Sequence, residues 1–215
     1  MQAGAIAIIR FDLILETIAA IIALIVSHYA NKAFHMTGQK KLSDLSTGFI
    51  VLSAGMLGRV IGTLYFFVLS EDGGLTDPDA LSMLGLVTVG YGMMKIMAYL
   101  IFAVSTRPTR RYNDNTELTI ALALPVLLSP ELEWIAIIIL LVVVLQTVMN
   151  YGAVRTRYAM YVLLGFTFLL FSHVAGIYAT GEDLRAYLMY LLGQLLQFLG
   201  LISFLVMLRQ AGKDE

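Results

Sequence analysis

Long apolar stretches, each broken by a short polar connection, dominate the chain. Six of them, at about 6–29, 45–69, 81–105, 132–152, 158–179 and 184–208, reach the ~20 residues that a helix needs to cross the hydrocarbon core. They are rich in Leu, Ile, Val, Phe and Ala, and none is broken internally. Backbone amides find no water partner in lipid, so each stretch is predicted to be a transmembrane helix. A seventh stretch, about 114–130, is less regular: its uninterrupted apolar run, Leu118 to Leu128, is 11 residues long and contains Pro125. By length alone it would suit a re-entrant or interfacial segment.

Charge decides between six crossings and seven. The connection 30–44 carries Lys32, Lys40 and Lys41, that at 106–113 carries Arg107, Arg110 and Arg111, that at 153–157 carries Arg155 and Arg157, and the tail carries Arg209 and Lys213. The intervening connections are acidic, with Glu71, Asp72, Asp77 and Asp79, then Glu131 and Glu133, then Glu182 and Asp183 beside Arg185. Basic connections belong to the cytoplasmic side, and the alternation is kept only if 114–130 crosses. The expected architecture is therefore an all-α polytopic membrane protein, a single domain over residues 1–215. It has seven transmembrane helices, the N-terminus outside and the C-terminus inside, in a cell membrane. Tyr29, Tyr112, Tyr151 and Tyr158 fall at the inner helix ends, and Trp134, Tyr178 and Tyr187 at the outer ends, as interfacial aromatics do. The start, Met1 to Ile9, has neither the basic region nor the small-residue cleavage site of a signal peptide, so the first helix is expected to be retained.

Composition narrows the function classes. Of 215 residues, 59% are hydrophobic and 13% charged, against roughly 25% charged in soluble domains. A net charge of −1 supplies no basic field for nucleic acid. The absence of cysteine removes disulfides, thiolate metal sites and cysteine nucleophiles.

The remaining chemistry lies in polar groups inside the spans. A charge near the bilayer centre costs roughly 2.5–3.5 kcal/mol on insertion scales, so such groups turn inward and find partners. Glu16, Arg59 and Lys95 stand out. Counted from the helix ends, Glu16 and Arg59 fall at matching depths on consecutive spans, which predicts an ion pair. Lys95 lies slightly below, within reach of the same carboxylate or able to extend toward the inner face. His173 is read as a hydrogen-bonded core histidine, since no second histidine shares its depth and no metal or haem ligand set converges on it. Gln194 and Gln197, one turn apart, are expected to bond a facing helix, His173 included, or to line a cavity. Ala54, Gly58 and Gly62 form a run of small residues that admits a neighbouring helix, within the bundle or in a second copy. No cofactor or metal is called for, and a retinal-binding reading fails because the final span holds no lysine for a Schiff base.

An internal repeat is suggested by Gly48-Phe49 with Leu52 in the second span and Gly165-Phe166 with Leu169 in the sixth, and by Gly90 and Gly193 in the third and seventh. Two parallel three-helix units around an inverting fourth helix, a 3+1+3 plan, would accommodate them. With the basic end at Arg209, these Gly-Phe-x-x-Leu stretches resemble the seven-helix N-terminal membrane modules of archaeal sensor histidine kinases. Those modules continue into a cytoplasmic kinase, whereas this sequence ends at Glu215. The resemblance implies a non-enzymatic sensory or regulatory module that signals through a protein partner. An accessory subunit of a larger membrane complex, or a homo-oligomer, is the related reading, with lipid as the surrounding contact. The alternative is a small-solute or ion transporter built from the two three-helix units, which should contain a polar cavity at the repeat interface near the midplane, open to one side; a subunit should instead show a filled core and an exposed apolar or small-residue seam.

The charge pattern makes a direct prediction. Cysteines placed singly at Lys40 and Arg110 should react with an impermeant thiol reagent from the same face of the membrane, and labelling from opposite faces would dismantle the seven-span scheme.

Overall fold

The computed structural model describes residues 2–69, 78–107, 132–179 and 184–211. Their backbone forms six α-helices: α1 (Gln2–Thr37), α2 (Lys40–Leu69), α3 (Pro78–Ser105), α4 (Leu132–Val154), α5 (Arg157–Tyr178) and α6 (Leu184–Ala211). Each contains a stretch long and apolar enough to cross a bilayer, and no strand occurs among the described residues. The expected crossing at 114–130 lies outside the described residues.

Each described helix packs on its neighbours in sequence, and α1 also packs on α6, so the six close into a ring. The connections are tight where they are described. At the end of α1, Gly38 takes a φ of 67°, and its N–H bonds the carbonyl of Phe34 at 2.8 Å. This left-handed position costs glycine little, and it lets α2 fold straight back. Between α4 and α5, Thr156 caps α5 by accepting from the N–H of Ala159 at 3.3 Å. Lys41 at the start of α2 donates to the carbonyl of Arg107 at the end of α3, 2.7 Å away, so two of the basic connections meet at one end of the bundle.

The ring is filled in layers contributed by α2, α3, α5 and α6. Phe49, Phe102, Phe166 and Phe204 form a closed quartet with neighbouring centroids 4.8 to 5.3 Å apart, mostly edge to face, the arrangement that aromatic quadrupoles favour. One turn away lie Leu52, Tyr99, Leu169 and Leu201, all buried. A further turn on, about 10 Å from the quartet at 1.5 Å per residue, come Met56, Lys95, His173 and Gln197. The interior thus passes from wholly aromatic to polar within two turns.

The outer helices supply walls. α1 presents Ala19, Ala20, Ala23 and Ala30 inward, small enough for α2 to lie close, and Ser53 donates to the carbonyl of Ala20 at 2.9 Å across that seam. Ser27 and Ser46 bond each other at 2.9 Å on the same interface. Below the quartet, Thr106 donates to Gln146 at 2.7 Å, and Asn150 donates to the carbonyl of Thr106 at 2.8 Å, tying α3 to α4. Outward-facing residues are large and apolar, Ile61, Leu86 and Ile138 among them, which suits a lipid surround.

Two glycines make room for the quartet. A Cβ at Gly48 would enter the Phe102 ring, and one at Gly165 would come within 2.6 Å of the Phe204 ring. Gly165→Ala should therefore destabilise by about 1–3 kcal/mol, the usual range for overpacking. Trimming the obstructing ring with Phe204→Leu in the same chain should recover part of the loss. Thermal unfolding of detergent-solubilised variants measures both.

Candidate functional site

The polar groups gather at one end of the bundle, beyond the quartet. Arg59 on α2 places Nη1 3.2 Å from Oε1 and 3.1 Å from Oε2 of Glu16 on α1, the pairing that helix depth predicts. Glu16 is 1% exposed and Arg59 26%, so the carboxylate is sealed behind the guanidinium.

Lys95 does not turn to Glu16. Its Nζ contacts Oε1 of Glu133 at 2.7 Å, while Oε2 of the same carboxylate meets Nδ1 of His173 at 2.5 Å. Nε2 of His173 lies 2.6 Å from the hydroxyl of Tyr99. With Nδ1–H donating to Glu133 and Nε2 accepting from Tyr99, a neutral imidazole satisfies the whole chain; this tautomer is assigned from the network. Four side chains from α3, α4 and α5 are thus joined head to tail.

Tyr91 links this chain to the Glu16–Arg59 pair. The Arg59 guanidinium carbon stands 5.2 Å from the centre of its ring, and the Lys95 ammonium 4.6 Å. A ring face attracts a cation, here from two helices at once. Glu16, Arg59, Tyr91, Lys95, Glu133, His173 and Tyr99 then form one connected network across five helices.

A cavity of about 430 Å³ opens beside it. Arg59, Tyr91, Lys95, Glu133 and His173 line one part of its wall. Tyr190, Gln194 and Gln197 on α6 line another, and at Gly176 a Cβ would meet nothing within 4 Å, whereas Gly92 and Gly193 let neighbouring helices lie close. Gln194 donates to the Tyr190 hydroxyl at 3.2 Å, and Gln197 approaches the Met56 sulfur at 3.8 Å. The structure thus gives His173 different partners from the glutamines that sequence spacing offered it.

The small residues of α2 divide between two faces. Gly62 lies against Val87 of α3, and Gly55 against Met94. Ala54 and Gly58 instead face outward, and a Cβ at Gly58 would meet nothing within 4 Å. With Gly90 and Met94 they border a groove of about 270 Å³ between α2 and α3, whose inner wall is again Arg59 and Tyr91.

Glu133 is the residue that sequence reasoning missed. It counts as an acidic connection residue if connected helix ends are taken as level. In the structure Leu132 packs against Gly92, well inside α3, so α4 begins at the depth of Lys95. Tyr91 and Tyr99 were hidden among eleven tyrosines. Their spacing of four and eight residues from each other and from Lys95 on one face of α3 was the available signal. Among the described residues no group of three or more His, Asp or Glu side chains is arranged to hold a metal.

Fold and site together describe an all-helical bundle whose six described helices are long and apolar enough to cross a membrane, with a charged network beside a cavity. No family model matches the chain, and no match is found among curated proteins or among solved structures.

The unequal burial of the first pair yields a prediction. Arg59→Met leaves a sealed carboxylate without its cation and should cost several kcal/mol, on the order of the 3–5 typical when one partner of a buried pair is removed. Glu16→Gln leaves a guanidinium facing a cavity and should cost less. The double variant should recover much of the Arg59→Met loss in a thermal-unfolding series.

Proposed function

We propose that this protein is a non-enzymatic sensory module of the membrane, taking a small polar solute into the cavity and reporting it to a protein partner. One observation carries the reading: Phe49, Phe102, Phe166 and Phe204 fill the centre of the bundle about 10 Å from the layer that borders the cavity, and Ala54 and Gly58 leave an exposed small-residue seam on α2. A filled core beside the cavity is suited to a protein that receives a ligand without passing it on. Occupancy would act on the Lys95–Glu133–His173–Tyr99 chain, which joins α3, α4 and α5, and so on the relative positions of those helices. The groove bordered by Ala54, Gly58 and Gly90 supports docking of a partner helix, since small residues admit close approach. In this reading the bundle has seven spans, the N-terminus outside and the C-terminus inside. The cavity opens outward and the basic connections face the cytoplasm. The meeting of Lys41 with Arg107 supports grouping those connections at one end.

The second reading is a small-solute transporter of 3+1+3 plan, and the polar cavity and the layers around the quartet favour it. Phe49 and Phe102 correspond to Phe166 and Phe204, Leu52 and Tyr99 to Leu169 and Leu201, and Met56 and Lys95 to His173 and Gln197. Gly48 faces the Phe102 ring as Gly165 faces that of Phe204. Two such units rocking about the quartet would open the cavity to either side in turn.

The cysteine-free chain lets the two be separated without knowing the solute. Gly176 lines the cavity, and a Cβ there meets nothing within 4 Å, so Gly176→Cys should be tolerated. Sensing predicts labelling of this cysteine by an impermeant reagent from one face of sealed vesicles only. Labelling from both faces would displace sensing in favour of transport.

A further inference from the structure

The cavity carries enough chemistry to name the class of ligand it takes, an inference that rests on the solute-binding reading above. We infer that it binds an oxyanion, a carboxylate or phosphate group, between Arg59 and Lys95 at the edge of Tyr91.

Three observations converge. The first is the balance of charge on the wall. Among the described residues Arg59 and Lys95 line the cavity, with the carboxylate of Glu133. Glu16, the counter-ion of Arg59, lies behind it at 1% exposure and is not part of the lining. Of the described charged groups, the two cationic heads are therefore presented to an entering group, and one of the two carboxylates is withdrawn from direct contact.

The second is how the groups are already engaged. Each oxygen of Glu133 already accepts from one positively charged or polarised donor, Oε1 from Lys95 and Oε2 from His173, which lowers its pull on an incoming cation. Lys95 is placed differently. Its ammonium has three donors. Among the described residues its partners are one carboxylate oxygen and the face of Tyr91. An oxyanion can join that ammonium without breaking the bond to Glu133.

The third is geometry. Arg59 and Lys95 come from different helices yet stand 5.2 and 4.6 Å from one tyrosine ring. The ring attracts both cations, and an anion held at its edge would draw on both charges. A planar guanidinium matches a carboxylate or phosphate, and an ammonium adds a point charge. The uncharged remainder of the ligand would face Gln194, Gln197 and Tyr190 on α6. The volume of about 430 Å³ falls within the roughly 300–1,000 Å³ of small-molecule sites.

The oxyanion has two sources. It arrives free in water through the cavity mouth, or on a lipid through the α2–α3 groove, since Arg59 and Tyr91 line both spaces. The test distinguishes them. The full chain is placed in phosphatidylcholine nanodiscs, and its thermal midpoint is followed with succinate, benzoate or inorganic phosphate, and with tetramethylammonium, at constant ionic strength. A parallel sample contains phosphatidylglycerol in place of part of the phosphatidylcholine. The expected result is a saturable rise of several degrees with at least one free anion, or with phosphatidylglycerol, and none with tetramethylammonium. The rise should vanish in Lys95→Met/Glu133→Gln, which removes both charges of a pair and leaves no lone one. A response to the free anions assigns the aqueous source, and a response to phosphatidylglycerol alone assigns the lipid. Stabilisation by tetramethylammonium that depends on Glu133 overturns the inference but leaves a solute cavity in place. A response unchanged in the double variant, or none from any anion or from phosphatidylglycerol, overturns it as well. One-sided labelling at Gly176→Cys is independent of all these outcomes, so the cavity reading stands or falls separately.

Discussion

A charge placed in a bilayer must be answered by another charge or by a dipole, and the upper half of this bundle is arranged around that requirement. Glu16 could not be sealed at the α1–α2 seam without Arg59, and Lys95 could not face inward on α3 without Glu133. Each ion pair joins two helices, and Tyr91 brings the two pairs into contact. The network is therefore a set of ties between helices, and any ligand that alters one tie acts on the others.

The lower half meets the opposite condition. There the quartet is closely packed, with Leu52, Leu169, Leu201 and the Tyr99 ring above it, and polar side chains stay on the seams between adjacent helices, as with Ser27 and Ser46 or Thr106 and Gln146. Close packing of this kind resists deformation, so the quartet holds α2, α3, α5 and α6 at a fixed spacing.

The interior also changes character from layer to layer. At the quartet all four side chains are phenylalanine; one turn away lie Leu52, Tyr99, Leu169 and Leu201, and a further turn on come Met56, Lys95, His173 and Gln197. In that last layer Gln197 approaches Met56, and Lys95 and His173 share the carboxylate of Glu133, so the polar end is tied together by its own side chains.

The amino-acid sequence by itself determined that the chain is helical and suited to a membrane, because lipid leaves the backbone no alternative and apolar length is read directly. It also determined the Glu16–Arg59 pair, since consecutive antiparallel helices of known length bring positions of equal depth together. The tertiary structure alone decided the rest of the site. Glu133 reaches Lys95 and His173 because α4 starts deep against Gly92, an offset between helices that no count along one chain contains. It likewise decided that Gly55 and Gly62 meet α3 while Ala54 and Gly58 turn outward. Helix rotation is set by the whole interface, whereas residue spacing fixes only which positions share a face.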